Sequence, residues 1–539
     1  MAEGRNKEQE SKQTESNSKE TGQNPESSEN TDQQDKQKKK NENDSRKKEK
    51  EPLRFHLTAN ISILKKRLEK STDIVFRPIK IGEQNACLVY INGLIDTNAI
   101  EFSALEKLLK YKGPSLTFEE IEEKILTIGD VSKQTTFEDA LEQLFDGNTL
   151  LFTENRDKVL VLDAKKFEDR SISEPDTESS IRGPREGFNE NVGTSVSLLR
   201  RKIRSEKLKI ISKKVGEETN TNIVIAYLDG IASSELVEEV EKRLDRIEID
   251  GIFETGYIEE LIEDSPASPF PQLQATERPD TVAANLLEGR VAILVDGTPF
   301  ALLLPVTFWQ MLQASEDYYE RFYISTFLRW LRILFLGVAL FLPALYIALT
   351  TFHHEMLPTT LIYSFAASRE AIPFPAVVEA MIMEIAFEAL REAGVRLPKT
   401  IGQAVSILGA LVIGTAAVEA GIVSAPMVIV VSLTGIASFT IPRFTFGITI
   451  RLLRFGLMII ASVFGLFGIV VGIVLISTHL IKLRSFGIPY LSPLSPLSVG
   501  ELKDVFIRMP WWAMRNRPKH IIGGNLKRET DEMTPEARK

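Results

Sequence analysis

The chain has 539 residues, a formal charge of −9 and a single cysteine. The lone Cys87 excludes an intramolecular disulfide and a cysteine-based metal cluster, and the length points to three or four structural units. Composition is divided along the chain, so average hydropathy says little about any one part.

Residues 1–53 are expected to be a disordered charged tail. Ala2 to Lys50 hold no Val, Ile, Leu, Phe, Trp or Tyr, and such a segment cannot bury enough surface to offset its ordering entropy. The first fifty residues lack the apolar stretch of a secretory signal. Glu and Asp are interspersed among the lysines, which argues against a dedicated nucleic-acid site.

An α/β region follows, to about Tyr323. "IKIGEQNACLVYINGLID" from Ile79 and "KKVGEETNTNIVIAYLDGIAS" from Lys213 resemble each other. Each reads as strand, polar turn, strand, then Asn92-Gly93 or Asp229-Gly230, then a helix. In the second, Leu236, Val237, Val240, Leu244 and Ile247 form a stripe at helical spacing, with Ser233 or Ser234 as N-cap. Two related lobes are predicted, at 54–170 and 196–323, joined by a Pro-, Gly- and Ser-rich linker at 171–195. "RVAILVDGTPFALLLPV" predicts a hairpin around Asp296-Gly297.

P-loop, GxGxxG, GxSxG and HExxH signatures are absent from the sequence. His353-His354-Glu355 is a weak metal signal and reads first as a polar loop at a membrane surface. No catalytic residue, cofactor or metal site is assigned, and the chain is not read as an enzyme.

Residues 324–485 are expected to form an α-helical, polytopic transmembrane domain of about four to six helices. Uncharged runs at Ile333–Phe352, Ile401–Val418, Ala420–Pro442 and Phe455–Ile481 each have the length to span a bilayer or nearly so. Glu419 separates the second from the third. Basic residues flank both ends (Arg321, Arg329 and Arg332 before; Lys482, Arg484 and Arg508 after), so both ends belong on the cytoplasmic side and the number of crossings is even. With four spans, Arg443, Arg451 and Arg454 fall on the opposite side, against that rule. Residues 486–539 read as an interfacial segment, whose prolines forbid a continuous helix, and a basic cytoplasmic tail.

"FPAVVEAMIMEIAFEALREAGVRLP", Phe374–Pro398, places Glu379, Glu384, Glu388 and Glu392 among apolar residues. Glu384, Glu388 and Glu392 share one side of a helix. Two readings stand. In one, Glu388–Arg391 and Glu392–Arg396 are surface ion pairs on an interfacial helix. In the other, Glu384 and Glu388 face water beside a pore, small residues such as Ala380 and Ala386 permit close helix packing, and Glu379, Glu392 and Glu419 are further pore or gating candidates.

Long collinear segments carry a resemblance. They include "IRGPREGF" (Ile181–Phe188), "DGIFETGYIEELIEDSPASPFPQ" (Asp250–Gln272), "ERPDTVAANLLEGRVAILVDGTPFALLLPVTFWQ" (Glu277–Gln310), "PALYIALTTFHHEMLPT" (Pro343–Thr359), "RSFGIPYLSPLSPL" (Arg484–Leu497) and "PWWAMRNRP" (Pro510–Pro518). From Phe55 to Pro518 the chain resembles the A subunits of the GerA-type spore germinant receptors. The resemblance implies an integral protein of the spore inner membrane, its lobes facing the core. It implies a transporter-like B subunit that binds germinant and a lipoprotein C subunit as partners, membrane lipid as surroundings and no nucleic acid. It also implies assembly as a homo-oligomer, a pentamer, into a nutrient-gated cation channel; the alternative is a non-conducting assembly subunit. Arg182, Arg185 and Glu186 in the linker are expected to fix the angle between the lobes by charge-assisted hydrogen bonds.

Overall fold

The structure is a computed structural model, and it describes residues 50–166, 174, 175, 177, 178, 180–398, 409 and 414–528. Nearly all of the N-terminal tail lies outside these residues, as does most of the expected span Ile401–Val418.

The first lobe begins with helix α1 (Leu57–Arg67), then strands β1 (Ile74–Ile81) and β2 (Gln84–Ile91). Helix α2 (Thr97–Ile100), capped by the Asp96 carboxylate, continues through a π-helical turn (Glu101–Leu105) into α3 (Glu106–Lys110). Then come α4 (Phe118–Lys124), β3 (Val131–Gln134), α5 (Phe137–Phe145), β4 (Thr149–Thr153) and β5 (Val159–Leu162). The second lobe repeats this order: α6 (Val192–Lys202), β6 (Leu208–Val215), β7 (Thr221–Leu228), α7 (Ser234–Leu244), α8 (Thr255–Ile262), β8 (Gln274–Thr276), α9 (Pro279–Leu287), β9 (Val291–Val295) and β10 (Ala301–Leu304).

The sheets have one topology. Spatial order is β1-β2-β4-β5-β3 in the first and β6-β7-β9-β10-β8 in the second, with every pair antiparallel. The duplication seen in two sequence segments therefore extends over both lobes. β9 and β10 pair as the Asp296-Gly297 signal predicts. In α7, Leu236, Val237, Val240 and Leu244 are buried and Ser233 is the N-cap residue, while Ile247 lies past the last turn.

The lobes meet through a buried ion pair. Arg200, at the end of α6, donates from Nε and Nη2 to the Asp73 carboxylate at 2.7 and 2.9 Å and covers the Phe145 ring. Both side chains are almost wholly buried. Gly93 (φ 86°) turns directly beneath α6, so that a Cβ there would lie 2.2 Å from Ser197 Oγ. At the matching turn of lobe 2, Ile231 C=O accepts from Gly523 N–H, and Ile522 packs beside Gly289. In each lobe a later piece of chain covers the same turn.

After a short helix α10 (Phe308–Met311) come, among the described residues, α11 (Phe322–Thr351), α12 (Thr359–Arg369), α13 (Ala376–Arg396), α14 (Ala425–Phe439) and α15 (Phe444–Lys482), with residues 414–419 helical as well. Among the described residues, α11 and α15 are long and apolar enough to cross a membrane. α15 is not one straight rod. Gly465 has φ 59° and ψ −140° inside it, values open to glycine but costly for other residues. Past this point the chain folds back: a Cβ on Gly468 would meet Ile460 C=O at 2.6 Å, and one on Gly472 would meet Leu457 Cδ2 at 2.3 Å. Both ends of α15 therefore reach the same loop of lobe 2. Phe446 and His479 each lie against Phe270, and Thr449 bonds to Pro269 C=O. Gly465 sits instead against Phe352 and His353, at the far end of α11.

This corrects the expectation for the last apolar run. Phe455–Ile481 is not a single leg, because it contains the reversal at Gly465. Arg443 accordingly lies on the lobe side, paired with Glu178 of the linker, and Arg451 and Arg454 lie on the limb that leaves from there. The segment after α15 forms a short ladder of β11 (Arg484–Ser485) and β12 (Ile488–Pro489). It docks on lobe 2 through the buried Tyr490, whose hydroxyl donates to Pro271 C=O at 2.8 Å.

Candidate functional site

Pro375 precedes α13, and the first turns of the helix bury Ala376, Glu379, Ala380, Met383 and Glu384. Glu379 is fully buried. Its carboxylate accepts from Arg369 Nε and from the backbone N–H of Ser424, both at 3.0 Å. Ser424 is the N-cap residue of α14, so the carboxylate faces the positive end of that helix. Glu379 thus ties α12 to the start of α14, at the end away from the lobes.

Further along, Glu384 is also fully buried, with Oε2 at 2.8 Å from Arg454 Nη2. The pair is close enough to be ionic but lacks hydrogen-bond alignment, and Arg454 Nε and Nη1 also lack hydrogen-bond partners. Glu388 is half-buried and accepts from Arg451 at 2.7 Å and from Arg454 at 3.4 Å. Two carboxylates of α13 therefore meet two guanidinium groups of the first limb of α15. This lies about midway between Arg443 near the lobes and Gly465 at the far end. Breaking such a buried pair costs about 3–5 kcal/mol, because the other charge is left uncompensated.

In this chain Glu384 is turned into protein, not to water, and Glu388 is held by arginines. Glu388–Arg391 is not the pair that forms: Arg391 stacks on Phe439 and Phe444, at 5.2 and 5.6 Å from their ring centres. Glu392–Arg396 does form, at 2.6 Å, on the exposed face. Glu419 is exposed, apart from the cluster. Ala380 is fully buried, and α13 also packs closely against Gly435 of α14, where a Cβ would meet the Phe387 ring at 2.5 Å.

The linker residues fall elsewhere than expected. Arg182 pairs with Glu320, Arg185 with Glu174, and Glu186 with Arg201 and Lys202. These bonds stay within the linker, lobe 2 and the approach to α11, whereas Arg200–Asp73 spans the joint between the lobes. The linker's anchor is Arg278, 2% exposed. It pairs with Asp280 at 2.9 Å and donates to Ser180 Oγ and to the Glu178 and Pro184 carbonyls. Asp280 also accepts from the Tyr319 hydroxyl. At the foot of α11, the buried Asp317 pairs with Arg329 and Arg332, and Arg329 reaches Asp504 of the C-terminal segment.

Sequence reasoning missed Arg278, Asp280, Arg200, Asp504 and the α15 arginines as partners. Only Arg451 and Arg454 left a signal, as charges inside an apolar stretch. No cluster of three or more His, Cys, Asp or Glu suited to a metal occurs among the described residues.

The family model described as Bacillus/Clostridium GerA spore germination protein matches residues 62–520. The chain is similar to the "Uncharacterized membrane protein YfkQ" of Bacillus subtilis (strain 168), 54% identical over 477 residues, which is 88% of this chain and 93% of the relative. It is similar to "Spore germination protein KA" of the same organism, 48% identical over 485 residues and 89% of each chain. The solved N-terminal domain of the A subunit of the Bacillus megaterium spore germinant receptor GerK3 matches 48% of this chain and 99% of its own, at 38% identity and a TM-score of 0.40.

Proposed function

The chain belongs to the GerA spore germination protein family, and from that premise we propose that it is the A-type subunit of a nutrient-responsive germinant receptor that conducts cations when triggered. Its lobes lie on the core side of the spore inner membrane. Its partners are a transporter-like B subunit, which recognises the germinant, and a lipoprotein C subunit. Copies of the chain assemble into a closed ring, a pentamer. The helical region enters the membrane after Arg332 and is back at lobe 2 by His479, so the number of crossings is even.

The observation that carries the reading is the group of Glu384, Glu388, Arg451 and Arg454, set between apolar helices. Charges placed there are costly and mark ion pathways. In the resting form the arginines hold the carboxylates. A germinant bound on the partner shifts the equilibrium towards a form in which α13 and α15 separate and the carboxylates face water. The expected role of Glu384 and Glu388 in the pore thus becomes one of exchange between two partners, arginine and permeating cation.

Nutrient-triggered K⁺ flux through the complete receptor, reconstituted in liposomes, tests this. Glu388→Gln should lower K⁺ over Cl⁻ selectivity several-fold while the complex still assembles. The double exchange Glu388→Arg with Arg451→Glu should restore the pair and recover assembly, with selectivity still altered. A wild-type receptor that binds its partners and passes no nutrient-dependent current would leave the non-conducting assembly role.

A further inference from the structure

A second feature lies on the lobe side, outside the helical region. A cavity of about 400 Å³ opens between α9, the segment leading into α11 and the C-terminal segment after Trp511. Arg290 forms part of its wall and is only 5% exposed. The one hydrogen bond of its guanidinium among the described residues is to the neutral Asn285 Oδ1, at 2.5 Å, and its Nε has no partner. Arg517, in the same wall, donates to the carbonyls of Leu287, Asn525 and Lys527, so it too meets no carboxylate among the described residues.

The other charges around the cavity are already balanced. Arg528 pairs with Glu288, Arg443 with Glu178 and Asp280 with Arg278. Asp504, near by, is bound to Arg329. Among the described residues, two guanidinium groups therefore lack a carboxylate partner in hydrogen-bond or ion-pair contact, in a place where charge is expensive to hold. Burial pushes the Arg290 guanidinium down from its ordinary value, against a smaller opposing pull from Glu288, Tyr318 and Asp504. The rest of the wall is amphipathic, with Ala284, Leu287 and Trp511 beside the arginines.

We propose that this cavity binds a small organic anion, its carboxylate or phosphate held by Arg290 and Arg517 and its apolar body lying against Leu287 and Trp511. Arginine suits either anion because its planar fork donates two parallel hydrogen bonds. The walls come from lobe 2, from the approach to α11, from the C-terminal segment and, through Arg443, from the start of α15. An occupant would hold these four pieces together. The site does not depend on whether the helices conduct.

The test uses the full chain in detergent, titrated with benzoate and, separately, with phenyl phosphate, and with binding read by calorimetry. Saturable binding of one probe at a single site is expected, and the better probe identifies the headgroup. Arg290→Gln should weaken it at least tenfold. Should that variant fail to fold, Ala284→Leu decides: this residue lies on an exposed turn of α9 in the cavity wall, and the larger side chain should weaken binding about tenfold without touching a charge. Absence of saturable binding of both probes to the wild type, or affinity unchanged in whichever variant folds, overturns the proposal.

Discussion

The two lobes share one topology and differ in where they keep their charges. In the first turn of α5 of lobe 1, Glu138 pairs with Arg67, the last residue of α1, at 2.9 Å, and Arg67 also binds Glu51 at 2.6 Å with its side chain 25% exposed. In the first turn of α9 of lobe 2, Asp280 stands at the matching place and pairs with Arg278 out of water, and Arg278 gathers the linker around itself. Lobe 2 is a junction that meets the linker, the loop to α15 and the C-terminal segment. A duplicated fold can thus keep its sheet while one copy buries, as structure, an ion pair that the other leaves on its surface.

The sharpest test of that contrast is a pair of truncations. Arg278→Ala leaves Asp280 buried and unpaired and frees two carbonyls, so thermal or denaturant unfolding of the full chain should show a loss of about 3–5 kcal/mol. Arg67→Ala removes a solvent-screened pair and should cost about 1 kcal/mol or less. Equal losses would mean that the two sites are not energetically distinct.

A second test addresses the joint between the lobes. Arg200→Ala strands Asp73 and should cost about 3 kcal/mol, with faster proteolysis between the lobes and little change inside either sheet. If Arg182→Ala has the larger effect on that cleavage, the linker and not α6 holds the angle.

The smallest expected effect is on pH dependence, and its sign differs between lobes. In lobe 1, burial pushes Glu138 up, but bonds from Arg67 and from the backbone outweigh it, and Lys50 and Thr136 hold Asp139 down. Carboxyls lowered in the folded state stabilise above their unfolded values, and the gain is lost as pH falls through the folded ones. In lobe 2, burial, with the charges of Glu263 and Glu254 behind it, raises Glu259 to about 7. Burial also raises Glu263 to about 7 against an opposing bond at Gln272. Folding then binds protons, so lobe 2 should lose stability as pH rises from about 4.5 to about 7. Hydrogen exchange read lobe by lobe in the full chain, corrected for intrinsic rates, should show lobe 2 loosening towards neutral pH and lobe 1 loosening only in acid. Glu259→Gln should reduce the former. A common profile in both lobes would remove the contrast.

The sequence by itself determined what local pattern controls. Hairpins at Asp296-Gly297 and beside the two Gly turns, the stripe of α7, the repeat that betrays two lobes and the apolar runs of the helical half all follow from spacing within a few residues. Tertiary structure alone decided the partners. Glu178 and Arg443 lie 265 residues apart, Asp73 and Arg200 lie 127 apart, and Glu388 and Arg451 lie 63 apart. Intervening turns must be set before those charges can meet. Gly465 shows this most plainly. In sequence it is one more small residue in an apolar run, and a reversal there becomes worthwhile only because the two limbs pack on each other and both reach lobe 2. The physical reason is that a hydrophobic period reports which face a segment will bury, whereas what covers that face depends on chain that arrives from far away.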